Sequence, residues 1–323
     1  MEKKILFFAF FAVVLLLAYP IHAIETDNII EPDEPGKYHI GYYKISYNDP
    51  IYGRYIATIR YPAKYDGFLA PKDISDAPYP GIVVANGFAG SEWNIKWIPL
   101  HLTSYGYITI CFTPPEKILG DTTQWANGFI EGIETLKSQN SLWFSPISGI
   151  LDVQSFGGIG LSMGGAGCIE ATGSIGSEID AAVALAPASS NSSRDAAINI
   201  NVPIQIHVGN NDGMVSPVQV LPYYSDYISD SLNKEYLSIT GANHIGFVDE
   251  FFARFAEWAG LDDPKEIEFE EQRRISSKYF TAWFEYHLRG IDEYFTYIFG
   301  EEAQNDLDAG ILSDLKYNII YIQ

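Results

Sequence analysis

Apolar runs of about six residues recur along the middle of this chain, separated by stretches whose apolar positions fall three and four apart. Residues 81–85, 106–111, 155–161, 179–186, 203–208 and 235–239 are such runs, and each reads as a short buried strand. Between them, residues 93–105, 122–139, 163–172 and 217–229 carry helical spacing. Buried strands alternating with helices predict an α/β fold with a mainly parallel sheet covered on both faces.

The flanks follow other patterns. Residues 38–61 are rich in Tyr, Ile and Thr around the turn signal Asn48-Asp49-Pro50, which predicts an antiparallel pair at a sheet edge. Residues 64–80 read as a loop. Near the other end, the aromatic run 279–286 recurs near helical spacing and reads as a packing helix, and 311–323 as a short helix and an edge strand. There is no internal repeat.

One stretch carries chemistry. Gly160-Leu161-Ser162-Met163-Gly164 sits where strand 155–161 meets helix 163–172. A serine hydroxyl is a weak nucleophile until a base lies within hydrogen-bond reach and donors await the oxyanion. A sharp strand-to-helix turn lifts such a serine to the top of a sheet and aims the following N–H, here that of Met163, at the same point. The competing reading is a glycine-rich turn whose serine caps a helix. The expected partners follow downstream. Asp212 lies at the carboxyl end of strand 203–208, where a carboxylate can fix a histidine tautomer, although Asn-Asp-Gly is also ordinary turn chemistry. His244 lies in a glycine-flanked loop after strand 235–239. Of the other histidines, His207 falls in an apolar strand, His101 and His287 in helices, His39 in the hairpin and His22 near the start. The order Ser, Asp, His is that of the α/β-hydrolases. The second oxyanion donor belongs in the loop after strand 81–85, where Phe88 offers its N–H.

Together, Asn86-Gly87-Phe88-Ala89-Gly90, the segment from Ile95 to Gly106, the serine motif, Leu185-Ala186-Pro187, Asn211-Asp212 and Asn243-His244 resemble the cutinase-like polyester hydrolases. These are secreted α/β-hydrolases related to dienelactone hydrolases, and some act on poly(ethylene terephthalate). The resemblance covers roughly residues 79–244. It implies Ser162, Asp212 and His244 as catalytic residues, Phe88 and Met163 at the oxyanion hole, and Met214 and Ile245 in the acyl-side wall. Many members carry Trp or His before the nucleophile and Trp after the Ala-Pro pair. Here Leu161 and Ala188 hold those substrate-facing positions, so Phe88 is the one aromatic of the expected clamp. The paired C-terminal cysteines of several members are absent.

Composition narrows the setting. With 323 residues, 47% of them hydrophobic, the chain can bury one large core. A net charge of −21 argues against nucleic-acid binding, which leaves a basic footprint. Lys3-Lys4 followed by an apolar run to Ala18 reads as an export signal over residues 1–23, with an uncleaved anchor as the alternative. Residues 24–36 then read as a linker and 37–323 as a single catalytic domain. Cys111 and Cys168 read as core residues, with one disulfide between them the alternative. Residues 188–202 are too few for a helical lid, so Ser162 is expected to face an open groove. The sequence thus predicts a secreted or cell-surface monomer, a serine carboxylesterase with a small or polymeric ester substrate, needing no metal or organic cofactor. Dienelactone-type or lipase-type hydrolysis and a non-catalytic binding protein on the same fold are the rivals.

Overall fold

The structure is a computed structural model that describes residues 29–320. Its centre is a run of strands in which nearly every residue is buried: β4 (Tyr79–Ala85), β5 (Ile108–Thr113), β6 (Leu151–Leu161), β7 (Ala181–Leu185), β8 (Ile204–Gly209) and β9 (Lys234–Ile239). They lie side by side in the order β5-β4-β6-β7-β8-β9, all parallel. An antiparallel wing, β1 (His39–Asp49) paired with β2 (Gly53–Ala63), joins at β5, and the two-residue β3 (Gly67–Phe68) finishes that edge. β10 (Leu312–Asn318) closes the other edge antiparallel to β9. The strands expected from the apolar runs are all present, as is the hairpin.

Alternation along each strand divides the core in two. Val83 and Ala85 face α2 (Thr122–Ser141) and α3 (Met163–Thr172), where Trp125, Phe129 and Ile169 pack. Ile82 and Val84 face α1 (Trp97–Ser104) and α7 (Phe269–Arg289), which supply Leu102, Tyr279, Phe280 and Trp283. Burying a side chain such as Phe280 stabilises the fold by about 1.5–3 kcal/mol. The aromatic run 279–286 is therefore a packing element, on the face opposite α2 and α3. Cys111 and Cys168 are free and lie in different halves of the core, with no disulfide between them. Burial pushes both thiols up to about 12.

Several expectations need correction. The helix expected at 93–105 begins only at Trp97. The helix expected at 217–229 is the short α5 (Pro217–Pro222), which widens into a turn over Tyr223–Tyr227 closed by Ile228 N–H on the Tyr223 carbonyl (3.0 Å). Pro222 offers no N–H to continue the α pattern. Residues 188–202 contain α4 (Asn191–Ala197), a single short helix against α3. A helix not foreseen, α6 (Glu250–Trp258), follows the loop that holds His244. After α7 come α8 (Phe295–Ile298) and α9 (Glu301–Asp308), which lead into β10.

The export signal expected over residues 1–23 lies outside the described residues. Of the segment read as a linker, residues 29–36 are held on the body. Tyr105 donates to the Glu31 and Glu34 carbonyls (2.6 and 2.9 Å), Tyr294 to the Ile30 carbonyl (3.0 Å), and Gly36 N–H to Ser104 Oγ (2.8 Å). Among the described residues no helix is long and apolar enough to cross a membrane.

Candidate active site

Three loops at the carboxyl ends of β6, β8 and β9 converge above the sheet. Ser162 occupies the turn between β6 and α3 with φ 57° and ψ −117°, a strained conformation for a residue with a Cβ. The turn is tight enough that a Cβ on Gly160 would lie 2.1 Å from the Gly164 carbonyl oxygen, and one on Gly164 2.6 Å from that of Asn86. Only glycine fits at either position. Leu185 and Ala188 brace the turn: Ser162 N–H donates to the Leu185 carbonyl (2.9 Å), and Ala188 N–H to that of Ser162 (3.0 Å).

Asp212 is buried in the turn after β8. Its Oδ1 accepts from the Met214 and Val215 N–H groups (3.0 and 2.6 Å), and its Oδ2 lies 2.8 Å from His244 Nδ1. His244 is 6% exposed, leaving only an edge of the ring toward the cavity. Its loop is fixed from below by Gln272 of α7, which accepts from Asn243 N–H (3.1 Å) and donates to the Asn243 carbonyl (2.7 Å). Trp97 donates to the Phe247 carbonyl (2.8 Å), tying the same loop to α1.

Ser162 and His244 line one apolar cavity of about 480 Å³, and no hydrogen bond joins them among the described residues. Bonds of this kind are often loose before substrate binds. The turn after β4 forms the facing wall and is held by Trp125, which donates to the Asn86 carbonyl (2.6 Å), and by Ala89 N–H on the Lys117 carbonyl (2.8 Å). The N–H groups of Phe88 and Met163 have no protein partner among the described residues, so both remain open donors near the serine.

Of the residues expected to touch substrate, Phe88, Leu161, Met214 and Ile245 line the cavity. Ala188 does not. It sits beneath the serine turn, where its carbonyl accepts from Tyr223 Oη (3.2 Å) and its N–H is spent on Ser162. One wall of the cavity comes from a segment to which the sequence patterns assign no role. Val248, Phe252, Phe255, Ala256 and Leu261, from α6 and its flanks, line the cavity beside His244. The groove therefore has an aromatic side after all, supplied by a different segment. Phe251, Phe252, Phe255 and Trp258 recur at one, four and seven residues, an apolar stripe legible in the sequence.

The strand order and the placing of these loops define an α/β-hydrolase. Residues 58–255 match the model of the PET hydrolase-like family, and the chain belongs to that family. A bis(hydroxyethyl) terephthalate hydrolase of Streptomyces coelicolor is 26% identical over 176 residues, covering 54% of this chain and 53% of that protein. The chain thus spans about half the length of the relative it matches.

Proposed function

We propose that this protein is an exported serine carboxylesterase acting on bulky apolar esters, with Ser162 as nucleophile and His244 as its base. The observation that carries the reading is the 2.8 Å contact of His244 Nδ1 with buried Asp212, in a cavity shared with a serine on a strained turn. Ser162 Oγ attacks the ester carbonyl carbon while His244 takes the hydroxyl proton. Asp212 keeps the ring tautomer that leaves the other nitrogen free to accept, and stabilises the imidazolium that forms. The Phe88 and Met163 N–H groups receive the developing oxyanion. His244 then returns its proton to the departing alcohol, the acyl group stays on Ser162, and water activated by the same imidazole releases the acid.

The walls favour an apolar substrate: Phe88, Phe252 and Phe255 line a groove that opens to solvent. Aromatic acids esterified with small alcohols, such as the terephthalate ester named for the Streptomyces relative, suit that shape. Purified protein should be labelled by a fluorophosphonate and should hydrolyse p-nitrophenyl butyrate. Ser162→Ala should lose labelling and on the order of a millionfold in turnover. Hydrolysis retained by Ser162→Ala overturns the mechanism, and a folded wild type that is never labelled favours a binding protein. Ranking bis(hydroxyethyl) terephthalate, a polyester film, a dienelactone and a long-chain triglyceride separates the ester classes.

A further inference from the structure

The segment that returns from α6 to α7 passes over both loops that carry the Asp–His pair. It bonds to the residues on either side of each. Flanking Asp212, Asn211 Nδ2 donates to the Pro264 carbonyl (3.4 Å) and Gly213 N–H to Asp262 Oδ1 (3.0 Å). Flanking His244, Asn243 Nδ2 donates to the Asp263 carbonyl (2.8 Å) and Ile245 N–H to Asp262 Oδ2 (3.0 Å). The loops also bond directly at their bases, through Asn211 N–H on the Ala242 carbonyl (2.9 Å) and Gly241 N–H on Asn210 Oδ1 (2.7 Å). Farther out, toward Gly213 and Ile245, the two oxygens of one carboxylate span the gap.

We propose that Asp262 is a positioning residue for the catalytic pair: its carboxylate clasps the Asp212 loop with one oxygen and the His244 loop with the other. This rests on the esterase reading above. Charge-assisted bonds to backbone N–H groups are stronger than neutral ones, and each of these lies one residue from a reacting or orienting side chain. The clasp is half-buried, and burial pushes the Asp262 carboxyl above the ordinary range against the pull of the Ile245 and Gly213 N–H groups. Asp262 also accepts from its neighbour's N–H, that of Asp263 (2.9 Å), which fixes the carboxylate's own rotamer. Asp262 touches no substrate-facing surface of the cavity, whereas Leu261 beside it does. Its influence therefore runs through the geometry of His244.

Asp262→Asn and Asp262→Ala test this. The amide preserves size and one acceptor, but its NH2 group confronts one of the N–H donors, so one half of the clasp opens. Misplacing a catalytic group by about an ångström costs up to the order of a hundredfold. Both variants should therefore lose on the order of tenfold to a hundredfold in kcat on p-nitrophenyl butyrate, with KM held within about twofold. The low-field proton resonance of His244 Nδ1 should shift or broaden, a readout that destabilisation elsewhere does not move. Folded Asp262→Asn with kcat within about twofold of wild type overturns the clasp. Should Asp262→Ala fail to fold, the isosteric Asn variant decides. If wild type proves inactive, the esterase reading fails separately, and an unchanged His244 resonance in Asp262→Asn then overturns the clasp by itself.

Discussion

Replacing Asp212 by Asn separates two tasks that one carboxylate performs. Its Oδ1 holds the turn by accepting the Met214 and Val215 N–H groups, and its Oδ2 meets His244 Nδ1 at 2.8 Å. The amide keeps volume and the Oδ1 acceptor, so the turn survives. Its NH2 group, however, now faces Nδ1, which must become an acceptor. The ring proton moves to the second nitrogen, which can then no longer take the proton of Ser162. A wrong tautomer in a triad of this kind costs about 10⁴-fold in kcat, or about 5.5 kcal/mol of transition-state stabilisation. Stability changes far less. Each of the three hydrogen bonds to the carboxylate, about 1.5–3 kcal/mol, becomes a neutral one of about 0.5–1.5 kcal/mol, a loss offset in part because a neutral amide costs less to bury than a charge. Melting temperature should fall by several degrees, at about 2–4 °C or less per kcal/mol for a chain this long. Asp212→Ala is the contrast, since it strands two N–H groups and a buried imidazole and should cost both activity and several degrees more. Turnover of p-nitrophenyl butyrate at pH 8, with thermal melts of the same samples, checks both halves. A folded Asp212→Asn that keeps more than about a tenth of wild-type kcat refutes the tautomer argument.

Two further outcomes follow. Phe252→Ala combined with Phe255→Ala removes the aromatic wall contributed by α6, and should weaken transition-state binding of bis(hydroxyethyl) terephthalate by about 1–3 kcal/mol while sparing p-nitrophenyl acetate; equal loss on both esters in kcat/KM measurements contradicts a substrate-contacting wall. Burial lowers His207 to about 3, so the folded state stays neutral while the unfolded chain gains a proton below about 6.5. Stability tied to that imidazole is complete above the unfolded value and is lost as pH falls toward the folded one, by about 1.4 kcal/mol per pH unit. In urea melts between pH 7 and 5, His207→Gln should show a pH slope shallower by about one proton, and an unchanged slope tells against a neutral buried ring.

The legible parts were those with a local signature. Strands β4 to β9 are legible because each contains a short run of residues that the fold buries on both faces. Ser162, Asp212 and His244, proposed as the catalytic set, stand out in the sequence because each follows such a run in a loop with its own turn chemistry. The aromatic wall had a signature that core-centred reasoning discounts. In α6 only Ala253 is buried, and the stripe of Phe251, Phe252, Phe255 and Trp258 faces cavity and solvent. Ala188 lies beneath the serine turn, its N–H on the Ser162 carbonyl and its own carbonyl accepting from Tyr223 Oη, an approach no spacing rule encodes. Asp262 had no signature at all. It is one of 41 acidic residues, and what distinguishes it is two backbone donors lying 49 and 17 positions away.

The aromatic wall and Asp262 share a cause, because they belong to one excursion of the chain. After His244 the backbone leaves the sheet, builds α6 as a wall of the cavity, and returns across the loops it has just left. Leu261 faces the cavity and Asp262, the next residue, bonds both loops, so one peptide separates the wall from that contact. A sealed lid would exclude water but would also exclude large substrates. This arrangement leaves the groove open and places the wall next to the residue that bonds both loops. The expected open groove and the unexpected aromatic helix are therefore compatible: the helix lines the groove from one side, and the segment that returns from it bonds the two loops from outside the cavity.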